Sequence, residues 1–207
     1  DFKVISAKDG EEGLNMATKV IPDLIITDVM MPGISGFELC RILRSQVITS
    51  HIPILVLSAK TTVENQIEGL EMGADVYMIK PFSMDHLKAQ VLRLISLKET
   101  IYSRYIHETA LVPQGSLSTR LDEEFMQKVM KFIENNLTNS DLSVDQLASC
   151  VSLSKVQTYR KIKAISGLSI VEFIRTIRLK KAATMIREGR LNFTEIAFET
   201  GFSTPSY

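Results

Sequence analysis

Three polar residues, Asp28, Ser58 and Lys80, each stand at the end of a short apolar run in the first half of the chain. In open sheets of parallel strands, ligands bind beyond the carboxyl ends of the strands. A single aspartate in such a position would most often cap a helix or bond a loop. Three polar side chains at successive strand ends instead favour a chemical site, with a carboxylate, a hydroxyl and an ammonium group meeting at one edge of a sheet.

The segments around these residues alternate between strand and helix patterns. Continuous apolar runs of strand length are typical of strands buried on both faces of a parallel sheet. Strands are predicted at 4–7, 24–27, 54–57 and 76–79, and helices at 11–20, 37–45, 62–72 and 84–97. This alternation predicts an α/β fold with a doubly wound parallel sheet over residues 1–98.

The second half of the chain is predicted to be entirely helical. A linker is expected over 99–121, although 101–106 could continue the preceding helix. From 122 to 207, four helix starts carry the capping-box pattern, in which a Ser or Asn is followed three residues later by Glu or Gln. These pairs are Ser143 and Gln146, Ser154 and Gln157, Ser169 and Glu172, and Asn192 and Glu195. The pattern indicates a bundle of short helices.

Basic residues are concentrated in this helical half, although the whole chain has a net charge of +0. Between 155 and 190 there are ten Lys and Arg residues, against the acids Glu172 and Glu188. Such a segment suits a phosphate backbone, although a solvated helical face is the alternative. The ten residues are Lys155, Arg160, Lys161, Lys163, Arg175, Arg178, Lys180, Lys181, Arg187 and Arg190.

Residues 142–167 have the pattern helix, turn, helix. The helix over 154–166 is predicted to bury Thr158, Ile162 and Ile165. Its opposite face carries basic, amide and aromatic groups, which suit a helix that enters the DNA major groove. An interaction module of three helices is the alternative. The candidate DNA-binding residues on this face are Lys155, Val156, Gln157, Tyr159, Arg160 and Lys163.

The composition is that of an ordinary globular protein, with 45% hydrophobic and 23% charged residues among 207. No apolar run reaches the roughly 18 residues that a membrane span needs, so no membrane contact is expected. Cys40 and Cys150 lie in apolar helical patterns and are expected to be buried, as suits a reducing cytoplasm. An enzyme active site elsewhere is disfavoured, because there is no nucleotide loop or metal-spaced His/Cys set. The three histidines, His51, His86 and His107, are widely spread.

Three segments of the first half closely resemble the signature segments of response-regulator receiver domains. They are 22–36, 54–59 and 73–82. The resemblance implies a flavodoxin-like fold in which Asp28 accepts a phosphoryl group from a histidine kinase. It also implies that Lys80 pairs with the phosphoryl group, that Ser58 bonds it, and that Tyr77 acts as a switch. Mg²⁺ would be held by Asp28 and the backbone carbonyl of Met30, and the Lys80–Pro81 peptide is predicted to be cis.

The sequence departs from the receiver pattern at its start. That pattern begins with a strand ending in an acidic pair, which supplies the remaining Mg²⁺ ligands. Here residue 1 already falls in the second strand of the pattern, so the receiver is expected to be N-terminally truncated. Its first strand would be absent, which would leave the strand over 4–7 without its usual neighbour.

Two segments of the second half, 175–183 and 196–207, resemble the signature segments of AraC-type regulator domains. This resemblance implies two helix-turn-helix units, the second truncated at Tyr207, with Thr204 and Ser206 as further DNA-binding candidates.

Together the two resemblances imply the C-terminal part of a hybrid two-component regulator. Such a protein would bind double-stranded DNA as a homodimer in the cytoplasm, and this fragment would not itself be an enzyme. A free-standing response regulator and an interaction module with a vestigial receiver are the alternatives.

Overall fold

A computed structural model describes residues 2–107 and 119–202 of the chain, with backbone alone over 98–107. Backbone contacts divide the chain into two compact units, one built on residues up to 100 and the other on residues from 123.

The first unit is a parallel sheet with helices between its strands, as the sequence predicts. Its strands pair in the order β1–β2–β3, with Ile25 opposite Ile54 and Leu55 opposite Val76. The strands are β1 (Ile25–Asp28), β2 (Ile54–Ser58) and β3 (Val76–Ile79). The helices are α1 (Gly10–Val20), α2 (Gly36–Ser45), α3 (Val63–Glu71) and the part of α4 (Met84–His107) up to residue 100.

The central strand β2 packs against helices on both of its faces. Ile54, Leu55 and Val56 are fully buried. Ile54 and Val56 join one core cluster, which includes Leu39, Cys40 and Leu43 of α2. Leu55 joins a second cluster on the other face, with Met78 of β3 and Leu94 of α4. The continuous apolar pattern of this strand therefore reflects burial on both faces.

The prediction of a strand over 4–7 is wrong. Residues 2–7 have no regular secondary structure, and Val4 is 83% exposed. A β-strand is held by hydrogen bonds to a neighbouring strand. Among the described residues, none forms a strand beside 4–7, so the apolar sequence has neither a backbone partner nor a core to cover.

The second unit consists of helices, and its helix starts lie where the sequence predicts them. All four capping boxes form, with reciprocal bonds between the cap residue and the residue three positions later. The helices are α5 (Arg120–Asn135), α6 (Val144–Cys150), α7 (Lys155–Ser166), α8 (Ile170–Glu188) and α9 (Phe193–Glu199).

The continuation of α4 beyond residue 97 is confirmed, and this helix extends into the range 99–121 that is predicted as a linker.

The two cysteines lie in different environments. Cys40 is buried as predicted, and burial raises the pKa of its thiol to about 12. The prediction that Cys150 is buried is wrong, because this residue is exposed at the last position of α6. It closes a helix of only two turns, in which Leu147 and Ala148 are the buried residues.

An arginine fastens the amino-terminal end of the sheet to α2. The Arg44 guanidinium donates to the carbonyls of Gly73, Ser50 and Ile52 at 2.8, 2.5 and 2.9 Å. It also donates to the Asp75 carboxylate at 2.5 Å. The same carboxylate oxygen accepts the N–H that begins β2, from Ile54, at 2.6 Å.

Arg44 is the charged group that opposes the effect of burial on Asp75. Burial raises the pKa of Asp75 above its ordinary value, and the charge of Arg44 and the N–H of Ile54 offset only part of that rise. The two side chains are only 16% and 14% exposed, so water does little to replace either partner. Loss of Arg44 would therefore leave the buried Asp75 carboxylate without its charged partner and three backbone carbonyls without the guanidinium donor.

We expect Arg44→Met to destabilise the first unit by about 3–5 kcal/mol, as when one partner of a buried ion pair is removed. Urea unfolding of the chain, followed by a signal that arises from the first unit, measures the change in the free energy of unfolding. Arg41→Met on the exposed side of the same helix is the matched control, and it should shift stability by less than about 0.5 kcal/mol. Equal effects of the two variants would contradict the role given to Arg44.

Candidate functional site

Asp28 lies at the carboxyl end of β1, where the chain turns towards α2. Its carboxylate Oδ1 accepts the backbone N–H of Met30 at 3.1 Å, which fixes the side chain over the turn. Gly36 begins α2 so close to this strand end that a Cβ on it would lie 2.1 Å from the Asp28 carbonyl oxygen. Only a glycine allows this approach, a positioning role that the sequence analysis did not identify.

Lys80 forms an ion pair with Asp28, as expected for residues at strand ends. Its ammonium group Nζ donates to the Asp28 carboxylate Oδ2. The backbone N–H of Lys80 bonds the Ser58 carbonyl at 2.7 Å, so the end of β3 is held beside the end of β2. The predicted cis peptide between Lys80 and Pro81 is confirmed.

The pKa of Asp28 lies below its ordinary value. Burial acts to raise this pKa, but the hydrogen bond from Lys80, the N–H of Met30 and the charge of Lys80 together outweigh burial. The carboxylate is therefore ionised at neutral pH. Such an oxygen can act as a nucleophile or bind a cation, and it has a cation already placed beside it.

Ser58 and Tyr77 both form hydrogen bonds to the backbone of Lys60, in the loop after β2. The Ser58 hydroxyl oxygen is buried and accepts the Lys60 N–H at 3.0 Å. The Tyr77 hydroxyl donates to the Lys60 carbonyl at 3.1 Å. The Tyr77 ring rests on Gly69, where an added Cβ would lie 2.7 Å from it, and tilts against Phe37. The structure thus ties both side chains to the loop that follows β2.

A magnesium ion, implied by the receiver resemblance, finds only part of its site among the described residues. Mg²⁺ needs octahedral oxygen ligands, of which one or two are usually carboxylates. Asp28 supplies one carboxylate, and Met30 follows it with an exposed side chain and a backbone carbonyl. Over the described ranges, no group of three His, Cys, Asp or Glu side chains is placed to hold a metal. These residues alone therefore do not complete a magnesium site.

The exposed face of α7 carries the predicted DNA-binding residues. Thr158, Ile162 and Ile165 are buried as predicted, which turns the opposite face outwards. The exposed residues are Lys155, Val156, Tyr159, Arg160 and Lys163.

Gln157 is half-buried, and its side-chain carbonyl accepts the Ser154 N–H at 3.1 Å. The Lys163 ammonium lies 6.0 Å from the centre of the Tyr159 ring. Thr204 and Ser206 lie outside the described residues.

Two basic residues between 155 and 190 have side chains that pack within the second unit. Lys161 is fully buried, with its ammonium 5.9 Å from the centre of the Phe125 ring. Arg178 donates to the Asn139 carbonyl at 2.5 Å, and burial lowers the pKa of its guanidinium. These two basic side chains therefore take part in the packing of the second unit.

Across the described parts of the chain, no helix combines the length and the apolar character needed to cross a membrane.

Family comparisons agree with both halves of the structure. Residues 1–92 match the response regulator receiver domain, and residues 147–207 match a helix-turn-helix domain of the AraC type. The chain therefore joins a response regulator receiver domain to an AraC-type helix-turn-helix domain. These are the domains of a regulator.

Particular relatives match different shares of the chain. It is 30% identical over 207 residues to Histidine kinase P4 of Formosa agariphila, covering 100% of this chain and 15% of that protein. It is 45% identical over 98 residues to the transcriptional regulatory protein PhoP of Bacillus subtilis, covering 47% of this chain and 40% of that protein. This chain thus spans less than two thirds of both relatives.

A solved structure, the receiver domain of Francisella response regulator 1452, has 43% sequence identity and a TM-score of 0.41. That similarity covers 44% of this chain and 73% of the other.

We expect Lys80→Met to raise the pKa of Asp28, because burial then acts against fewer opposing interactions. In the wild type, the pKa of Asp28 is lowered by folding, so Asp28 contributes to the free energy of unfolding at pH values above the ordinary pKa of an aspartate. This contribution is lost as the pH falls through the lowered pKa. A ¹³C NMR titration of the Asp28 carboxyl measures the shift, with Lys60→Met at a nearby exposed lysine as the control. An unchanged Asp28 pKa in Lys80→Met would rule out the ion pair as its cause.

Proposed function

We propose that this chain is a phosphorylation-controlled DNA-binding transcription regulator. Asp28 accepts a phosphoryl group from a histidine kinase, and α7 binds double-stranded DNA. The observation that carries the proposal is the ion pair of Asp28 and Lys80 at the carboxyl ends of parallel strands. That site stands in a chain whose other unit exposes a basic helix in a helix-turn-helix domain. We propose a cytoplasmic location, because both proposed activities take place in that compartment.

In the proposed transfer, a carboxylate oxygen of Asp28 forms a bond to phosphorus while the phosphorus–nitrogen bond to a kinase histidine breaks. The imidazole nitrogen keeps the electron pair, and Asp28 becomes an acyl phosphate. Such transfers depend mainly on positioning and charge neutralisation. Lys80 is already paired with Asp28 and would follow the new charge to a phosphoryl oxygen.

Ser58 and Tyr77 would respond to the new group. The Ser58 hydroxyl lies at the neighbouring strand end and would donate to a phosphoryl oxygen. Tyr77 would release the Lys60 carbonyl and rotate inward beside Ser58. Mg²⁺ would be held by Asp28 and the Met30 carbonyl, with further ligands besides those described, and would supply positive charge against the phosphoryl oxygens.

The parent protein is proposed to be a hybrid two-component sensor of which this chain is the C-terminal part. The alignment with Histidine kinase P4 supports this, because it runs through both domains and the segment between them. A free-standing response regulator with the same two domains is the second candidate. It is favoured by the match to PhoP, although that match covers 98 residues.

A homodimer is proposed because an apolar stripe on α3 is exposed. Val63, Ile67 and Leu70 share one helix face and are 64%, 51% and 52% exposed. A dimer would also suit two half-sites on DNA.

We expect the full-length protein, given ATP labelled at its γ-phosphate and Mg²⁺, to acquire an alkali-labile label, because alkali cleaves an acyl phosphate but not the phosphohistidine of the kinase. Asp28→Asn should abolish this label because the nucleophile is removed. Asp85→Asn, at an exposed acid in the first turn of α4, should retain it. A labile label that persists in Asp28→Asn would show that another residue is the acceptor. Label that appears only when a separate kinase domain is added would favour the free-standing regulator.

For the DNA-binding unit, we expect Arg160→Ala to cost about 1–3 kcal/mol on a selected duplex and to relax specificity at one position. Lys163→Ala should instead weaken selected and random duplexes alike and flatten the salt dependence, as loss of a phosphate contact does. Fluorescence anisotropy of the full chain with both duplexes measures these changes. An equal loss on both duplexes for Arg160→Ala would refute base recognition by this residue.

A further inference from the structure

We propose that Asp145 of α6 limits the contact that Lys155 makes with DNA phosphates, and so sets the sequence-independent part of DNA affinity. This inference rests on the proposed DNA-binding function. It assigns a role to an acidic residue on the helix that precedes α7, where the sequence analysis assigned none.

The two side chains form an ion pair at the surface. The Lys155 ammonium Nζ lies 2.6 Å from the Asp145 carboxylate Oδ1, and the side chains are 61% and 60% exposed. An exposed pair of this kind is weak, because water and salt screen it. A DNA phosphate that reaches the same ammonium must therefore compete with the carboxylate, and it can do so at modest cost.

The position of Lys155 is explained better by DNA than by helix stability. It is the first residue of α7, directly after the Ser154 cap, and the first turn of this helix contains no acidic residue. A cation is unfavourable there, because the amino-terminal end of a helix carries partial positive charge. The Asp145 carboxylate offsets that cost in the free protein. In a complex, the same place would suit a phosphate.

The backbone of Asp145 is fixed in place at the start of α6. Asp145 is the second residue of α6, and the capping box of Ser143 and Gln146 fixes the start of this helix. An acid in the first turn is favoured by the helix dipole. The carboxylate would therefore stay close to Lys155 while DNA approaches, and it would repel the phosphate that Lys155 attracts.

The effect should be confined to the phosphate contact of this lysine. Arg160, the proposed base-reading residue, lies on a later turn of α7 than Lys155. Lys163, the other proposed phosphate contact, lies near the Tyr159 ring. Loss of Asp145 should therefore strengthen binding through charge at one position, on any sequence, and leave base preference unchanged.

The test is fluorescence anisotropy of the full chain with a random-sequence duplex over a range of salt concentrations. We expect Asp145→Asn to tighten binding about 1.4- to five-fold, the range that exposed ion pairs span. The slope of log K against log salt should steepen by up to about 0.9, as for one more phosphate contact. In a Lys155→Gln background, Asp145→Asn should change neither quantity.

Asp141→Asn is the matched control, because it removes an exposed acid four residues earlier and should leave binding unchanged. An equal gain from Asp141→Asn, or from Asp145→Asn without Lys155, would overturn the proposal in favour of a general charge effect. Unchanged binding in Asp145→Asn, with wild-type DNA binding intact, would overturn this inference alone. A wild-type chain without salt-dependent DNA binding would instead refute the proposed function. Thermal melting of each variant checks that folding is preserved.

Discussion

The parallel register of β1, β2 and β3 is the constraint on which the candidate site depends. It places Asp28 opposite Leu57 and Ser58 opposite Ile79, so that the carboxyl ends of all three strands lie at one edge. Arg44 and Asp75 hold the strands together at their amino-terminal ends. The site depends on the alignment at both ends of the strands. The ammonium of Lys80 reaches the Asp28 carboxylate only because β3 and β1 flank β2 in this alignment.

Features that depend on neighbouring residues could be predicted from the sequence. A capping box joins positions three apart, so the starts of α6, α7, α8 and α9 were all anticipated by residue type and spacing. The buried strand β2 was equally evident, because a strand covered on both faces has an uninterrupted apolar sequence. The site residues Asp28, Ser58 and Lys80 followed from these strands, since each marks the point where a strand ends.

Features that depend on distant partners could not be predicted. Nothing near Arg44 in the sequence shows that its donors meet Gly73 and Asp75, and Lys161 and Arg178 look like members of a basic surface until their packing is known. The apolar residues 4–7 have the composition of a strand, yet composition cannot supply the neighbour that a strand requires. Cys150 illustrates the same limit, because a helix of two turns has too few residues to define its buried face.

The separation in sequence between paired residues gives the two units different folding kinetics. Each helix of the second unit closes its capping box between near neighbours, so its contacts begin locally and form quickly. In the sheet, Ile25 must find Ile54 and Leu55 must find Val76, and the chain between them must first lose its freedom. Although the ribosome makes the sheet first, the later helices begin to form sooner once they emerge. The apolar edges of unpaired strands are then exposed to other chains for longer, which makes the first unit the one that most needs protection from aggregation during synthesis.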